Sequence, residues 1–105
     1  MNEIPQIQIS EAKQMFDQKQ CTFIDTRDSG SYQAAHVPGA LHLHDGNIQD
    51  FVQNAAKDQP MIVYCYHGNS SLNAAAYLIE NGFKNVCSMS GGFEAWRLVY
   101  EHEPG

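Results

Sequence analysis

Met61-Ile62-Val63-Tyr64-Cys65, followed by Tyr66-His67-Gly68-Asn69-Ser70 and the run Ser71 to Glu80, is the stretch that decides the fold. Five apolar residues in a row, with no polar alternation, suit a strand buried on both faces, as in the middle of a parallel sheet covered by helices. Pro60 punctuates its start. Beyond the turn, Ala74, Ala75, Tyr77, Leu78 and Ile79 recur at helical spacing, and Asn81-Gly82 supplies a stop. A buried strand, a tight turn and an amphipathic helix make up half of a parallel α/β unit.

The same alternation extends in both directions. Upstream, Ile7 and Ile9 alternate with Gln6 and Gln8 as in an edge strand, and Ser10 is placed to cap a helix over residues 11 to 18 with Ala12, Met15 and Phe16 on one face. Cys21 to Asp25 reads as a second strand, with a short helix at 31 to 35 ended by Val37-Pro38-Gly39. Residues 40 to 43 follow as a short strand, then a helix over 47 to 57 carrying Ile48, Phe51, Val52 and Ala55. Downstream, 86 to 89 forms a fifth strand, Ser90-Gly91-Gly92 turns the chain, and a last helix runs from Phe93 to about Tyr100 before a polar tail. The prediction is an α/β fold: a mostly parallel five-stranded sheet, helices on both faces, one domain over residues 1 to 105.

Size and charge narrow the function. A chain of 105 residues buries roughly 65% of its unfolded surface, enough to fold without staples, so the three cysteines are expected as free thiols. Twelve acidic against six basic side chains, a formal charge of −6, argue against nucleic acid or an anionic membrane as partner. No apolar run approaches a membrane span, and the opening MNEIPQIQIS has no signal-peptide pattern. We expect a cytoplasmic protein.

In parallel sheets, ligands gather beyond the carboxyl ends of the strands, which directs attention to Cys65 at the end of the apolar strand. Gly68 permits a left-handed backbone path, and the amides of Tyr66, His67, Gly68, Asn69, Ser70 and Ser71 could converge on one anion at a helix N-terminus. A free cysteine, with a pKa of about 8.5, needs about 2 units of lowering to be mostly thiolate at neutral pH, which several amides would supply without a cation. Cys65 is therefore the candidate nucleophile, and a buried packing cysteine is the alternative. Cys21 and Cys87 lie in strands without a glycine-bearing loop and read as packing residues, able to resolve an oxidised Cys65 if they came within disulfide reach.

Three stretches together resemble the rhodanese family: IDTRDSGSYQAAHVPGALHL (24 to 43), VYCYHGNSS (63 to 71) and MSGGFEAW (89 to 96). The short chain and its loop look most like the single-domain thiosulfate sulfurtransferases of GlpE type. The resemblance implies that Cys65 takes the sulfane sulfur of thiosulfate as a persulfide in a ping-pong scheme and passes it to cyanide or a thiol acceptor such as thioredoxin, with no cofactor. It also implies that Asp25 and Arg27 organise the fold. His36 would fix a turn, Gly91 and Gly92 would let the last helix start close to the sheet, and Trp96 would anchor that helix. Many family members carry arginine or lysine where Ser70 stands, so thiosulfate should bind modestly unless His67 or a basic group elsewhere supplies charge.

Other chemistries fit less well. Cysteine phosphatases and arsenate reductases use C-x5-R, and the arginine position is Ser71. His42 and His44 would share a face of an extended strand, but no CxxC or HExxH accompanies them, and we assign no metal. A non-catalytic binding module would be expected to lack the cysteine. A persulfide carrier fed by a desulfurase has the same sequence signature as a thiosulfate enzyme.

Overall fold

The computed structural model describes residues 3–105. Its core is one five-stranded sheet in the order β1-β5-β4-β2-β3, with β1 at Gln6–Ile7, β2 at Thr22–Asp25, β3 at Leu41–His42, β4 at Met61–Tyr64 and β5 at Val86–Met89. Every strand pair is parallel. The central strand is the apolar run: Met61 and Val63 pack into one buried cluster, Ile62 and Tyr64 into the other. Side chains of a strand alternate between faces, so a continuous apolar strand feeds two cores at once.

Helices cover both faces. On one face, α1 (Ile9–Asp17) and α5 (Gly92–Trp96) bring Ala12, Met15, Phe16, Phe93 and Trp96 against Phe23, Ile62 and Tyr64. On the other, α3 (Ile48–Asn54) and α4 (Ser70–Glu80) bring Ile48, Phe51, Ala75 and Leu78 against Ile24, Val63 and Val86. Trp96 is fully buried, with edge contacts to Phe16 and Phe23 at centroid distances of 5.7 and 5.4 Å, and its indole N–H donates to the Glu101 carbonyl at 2.8 Å. The short α2 (Ser29–Ala34) lies beyond the carboxyl end of β2, capped by the Asp28 side chain, which accepts from the Ser31 amide.

Several boundaries differ from expectation. Ser10 does not cap α1: the chain leaves the sheet directly after Ile7, whose carbonyl accepts from Ser90, so the helix begins at Ile9 with Gln8 as an N-cap making no side-chain bond. Ser10 falls inside the first turn, and Ile9 belongs to the helix rather than to an edge strand. The helix expected over 47 to 57 is shorter. The last helix stops at Trp96, short of Tyr100; Leu98 and Val99 beyond it are 73% and 62% exposed, while Tyr100 still packs against the core. The polar tail is anchored: His36 and Glu103 exchange backbone hydrogen bonds of 2.9 Å as an isolated antiparallel bridge. Among the described residues, no helix is long and apolar enough to cross a membrane.

Candidate active site

β4 delivers Cys65 to the carboxyl edge of the sheet, and the next four residues form a loop that returns into α4 at Ser70. The thiol is 2% exposed. Its sulfur accepts from the Gly68 and Ser71 amides, both at 3.2 Å, and lies 3.3 Å from Ser71 Oγ. Burial pushes the Cys65 thiol up, but the hydroxyls of Ser70 and Ser71 and the amides of Ser71 and Gly68 outweigh it and bring the pKa down to about 7. No cation takes part. Partial positive charge at a helix N-terminus, concentrated by burial, does the work that arginine does elsewhere.

Two glycines make this geometry possible. Gly68 adopts φ +97°, and a Cβ there would come within 3.1 Å of the Gly91 nitrogen. At Gly92, φ +60°, a Cβ would lie 2.5 Å from the Tyr66 carbonyl oxygen and 2.6 Å from that of Cys65. The close approach is used: the Phe93 amide donates to the Cys65 carbonyl at 2.8 Å and the Glu94 amide to Tyr66 at 3.0 Å. The first turn of α5 thus clamps the base of the loop. Gly91, at φ +81°, is the N-cap of that helix.

The remaining loop residues separate in role. Gly68 and Ser71 are brought onto the sulfur, and Ser70 stands beside it. Tyr66 turns its ring away, its hydroxyl bonding the Asp28 carboxylate and lying 2.9 Å from Ser31 Oγ, so the loop is tethered to the cap of α2. His67 and Asn69 point to solvent. Ser70 also borders a groove of about 380 Å³ shared with Thr26, Asp28, Leu43, His44 and Asp45.

Asp25 and Arg27 are buried and form a bidentate pair, with Nε 3.2 Å from Oδ1 and Nη2 2.7 Å from Oδ2. Nη2 also donates to the Ala35 carbonyl at 2.5 Å, and the guanidinium stacks over Phe93 at 4.2 Å. Nε and Nη2 are engaged inward, so Arg27 braces the strand end, α2 and α5 together, while it also lines the groove that Ser70 borders. His36 is buried, with Nδ1 2.8 Å from the Tyr32 carbonyl and its ring stacked on Tyr32. β3 ends at His42, whose Nε2 lies 2.6 Å from the Arg27 carbonyl, while His44 lies beyond the strand.

The register does not bring the other two cysteines within disulfide reach of Cys65. Cys87 pairs with Ile62, three residues before Cys65 and on the opposite face of the sheet, and Cys21 precedes Thr22, which pairs with Met61. Three residues of strand are about 10 Å, beyond the reach of a disulfide without backbone movement. Burial, with Cys87 close by, pushes the Cys21 thiol up to about 11, and burial also raises Cys87. Both pack on the Trp96 side of the sheet.

Two contributors escaped the sequence reading. Ser88, buried in β5, lies 2.7 Å from Ser71 Oγ. Its signal was a single hydroxyl at a core position of the strand Val86-Cys87-Ser88-Met89. Ser31, which ties Tyr66 to Asp28, carried no signal beyond a short polar helix.

Comparison with known proteins agrees with this geometry. The model of the rhodanese-like domain matches residues 8–98. Thiosulfate sulfurtransferase GlpE of Pseudoalteromonas translucida is 44% identical over 97 residues, 92% of each chain. The protein of the same name from Pseudomonas entomophila is 52% identical over 80 residues, covering 76% of this chain and 73% of that one. The solution structure of the rhodanese-like domain of the Anabaena Alr3790 protein superposes with a TM-score of 0.86, 23% identity, and coverage of 100% and 81%. A parallel sheet that ends in an amide-lined cysteine loop, and sequence likeness along nearly its whole length, place one conclusion beyond the fold itself: the chain belongs to the rhodanese-like domain family.

Proposed function

We propose that this thiosulfate sulfurtransferase works through a persulfide on Cys65. The names of its relatives support the activity, and the observation that carries the mechanism is the ring of donors around Sγ: the Gly68 and Ser71 amides and the Ser71 hydroxyl. The Cys65 thiolate attacks the sulfane sulfur of thiosulfate. A new S–S bond forms, the old one breaks, and sulfite departs with the bonding electron pair. The persulfide anion left on the enzyme then meets a second nucleophile: cyanide takes the outer sulfur as thiocyanate, or a thiol, such as that of thioredoxin, takes it as a persulfide. Thiolate and persulfide are both anionic, so donors fixed around Sγ favour the nucleophile and its product without reorganisation.

The pairing of Arg27 with Asp25 bears on the donor. With the guanidinium beside the groove held in an ion pair by Asp25, binding of the thiosulfate dianion draws mainly on neutral dipoles, and we expect modest affinity. The same observation favours, as a second reading, a carrier that receives sulfur from another protein's persulfide. Either role fits the cytoplasm. The test is intact-mass measurement after incubation with thiosulfate: a gain of one sulfur atom, removed by cyanide and absent in Cys65→Ser. Persulfidation that survives in that variant would assign the chemistry elsewhere.

A further inference from the structure

We propose that Ser88, on the strand beside β4, is a positioning residue: when Cys65 is a thiolate, the Ser88 hydroxyl proton is committed to Ser71 Oγ, so that the proton of Ser71 is aimed at the sulfur of Cys65. The inference rests on Cys65 being the nucleophile. It begins with proton counting. Ser71 Oγ lies 2.7 Å from Ser88 Oγ and 3.3 Å from Cys65 Sγ, and it has a single proton to give. Ser71 is fully buried and Ser88 is 1% exposed, so bulk water does not compete for these hydroxyls. Among the described residues, the one side-chain hydrogen bond of Ser88 is the one to Ser71.

When Cys65 is a thiolate it can only accept, so Ser71 must donate to it, and the Ser71–Ser88 bond survives only with Ser88 as donor. When Cys65 is a thiol, its S–H donates to Ser71 Oγ and Ser71 passes its own proton toward Ser88. The chain therefore runs in opposite senses in the two ionisation states. In the thiolate state each donor polarises the next, and the bond to sulfur strengthens. Charged groups around the loop are satisfied elsewhere: Asp25 with Arg27, Asp28 with Ser31 and Tyr66, Glu94 with Arg97. His67 on the loop, and His44 and Asp45 on the groove, remain as titratable neighbours. Ser88 thus acts on the sulfur through Ser71 without touching it.

The experiment is the pH dependence of Cys65 alkylation by iodoacetamide, followed on the Cys65 peptide by mass spectrometry, which needs no sulfur transfer. Loss of a 10–30% cooperative gain in a charge-assisted bond moves the midpoint by about 0.4 pH unit, so Ser88→Ala should titrate higher and react roughly twofold more slowly below its midpoint. Ser88→Thr, which keeps the hydroxyl, should restore the original midpoint. In a Ser71→Ala background, Ser88→Ala should have no further effect. An unmoved midpoint in Ser88→Ala, an equal shift in Ser88→Thr, or an additive shift in the double variant would each overturn the proposal. Should Ser88→Ala fail to fold, the ¹³C shift of Ser88 Cβ in the unsubstituted protein must titrate with the Cys65 midpoint, and a flat response would refute the relay. Failure of the sulfur-transfer reading would show instead as persulfidation of Cys65→Ser.

Discussion

Removing the Ser71 hydroxyl while keeping its backbone amide isolates one of the donors that hold the Cys65 sulfur as an anion. In the native site the sulfur accepts from two amides at 3.2 Å and lies 3.3 Å from the Ser71 hydroxyl, which donates to it in the thiolate, and its pKa is brought down to about 7. A hydrogen bond to a charged acceptor contributes about 1.5 to 3 kcal/mol, and one pKa unit is about 1.4 kcal/mol, so loss of the least direct donor should raise the midpoint by about 1 unit. Cys65 would then titrate near pH 8, and at pH 7 its thiolate fraction would fall from about one half to about one tenth, a roughly fivefold loss. The sign fixes the assay. Persulfide formation from thiosulfate in Ser71→Ala should be about fivefold slower at pH 7 and close to the native rate at pH 9.5, where both proteins are ionised. Single-turnover release of sulfite across this range measures it. A deficit of the same size at every pH would mean that the hydroxyl serves the bound substrate and not the thiolate, and would refute the reasoning.

Gly92→Ala should destabilise the protein by about 3 kcal/mol or more, because a left-handed residue gains a Cβ that collides with the Cys65 and Tyr66 carbonyls and breaks the clamp from α5. Urea unfolding checks this, and wild-type stability would show that the loop does not need the close approach. Cys21→Ser and Cys87→Ser should each leave sulfur transfer within about twofold of the native rate, because both thiols sit at the far end of the sheet with raised pKa values and remain protonated at neutral pH. Loss of transfer in a folded variant of either would give that cysteine a part in the chemistry.

Much of the fold was legible because its signals are local. The run Met61 to Cys65 has no polar break, and a strand without alternation has to be covered on both sides, which places it in the middle of a parallel sheet. The short strands at the edges were less distinct: with two residues in β1 and two in β3 there is little periodicity to read, and the α1 start shifted because sheet pairing ends at Ile7. Asp25 and Arg27 were placed in a structural role by resemblance. Their geometry supplies the reason, since the guanidinium is held to Asp25, Ala35 and the Phe93 ring at once.

By itself the sequence determined the strand–loop–helix around Cys65, the left-handed glycine at 68 and the glycines that bring α5 close, because each is a requirement of backbone sterics or spacing within a few residues. Only the tertiary structure decided which donors reach the sulfur and what orients them. Two amides of the six converge on Sγ, the Tyr66 ring is led off to Asp28, and Ser88 arrives from β5, seventeen residues along the chain from Ser71. The direction of a hydroxyl depends on what packs opposite it, and a helix laid over a parallel sheet meets strand residues whose separation in sequence follows no period.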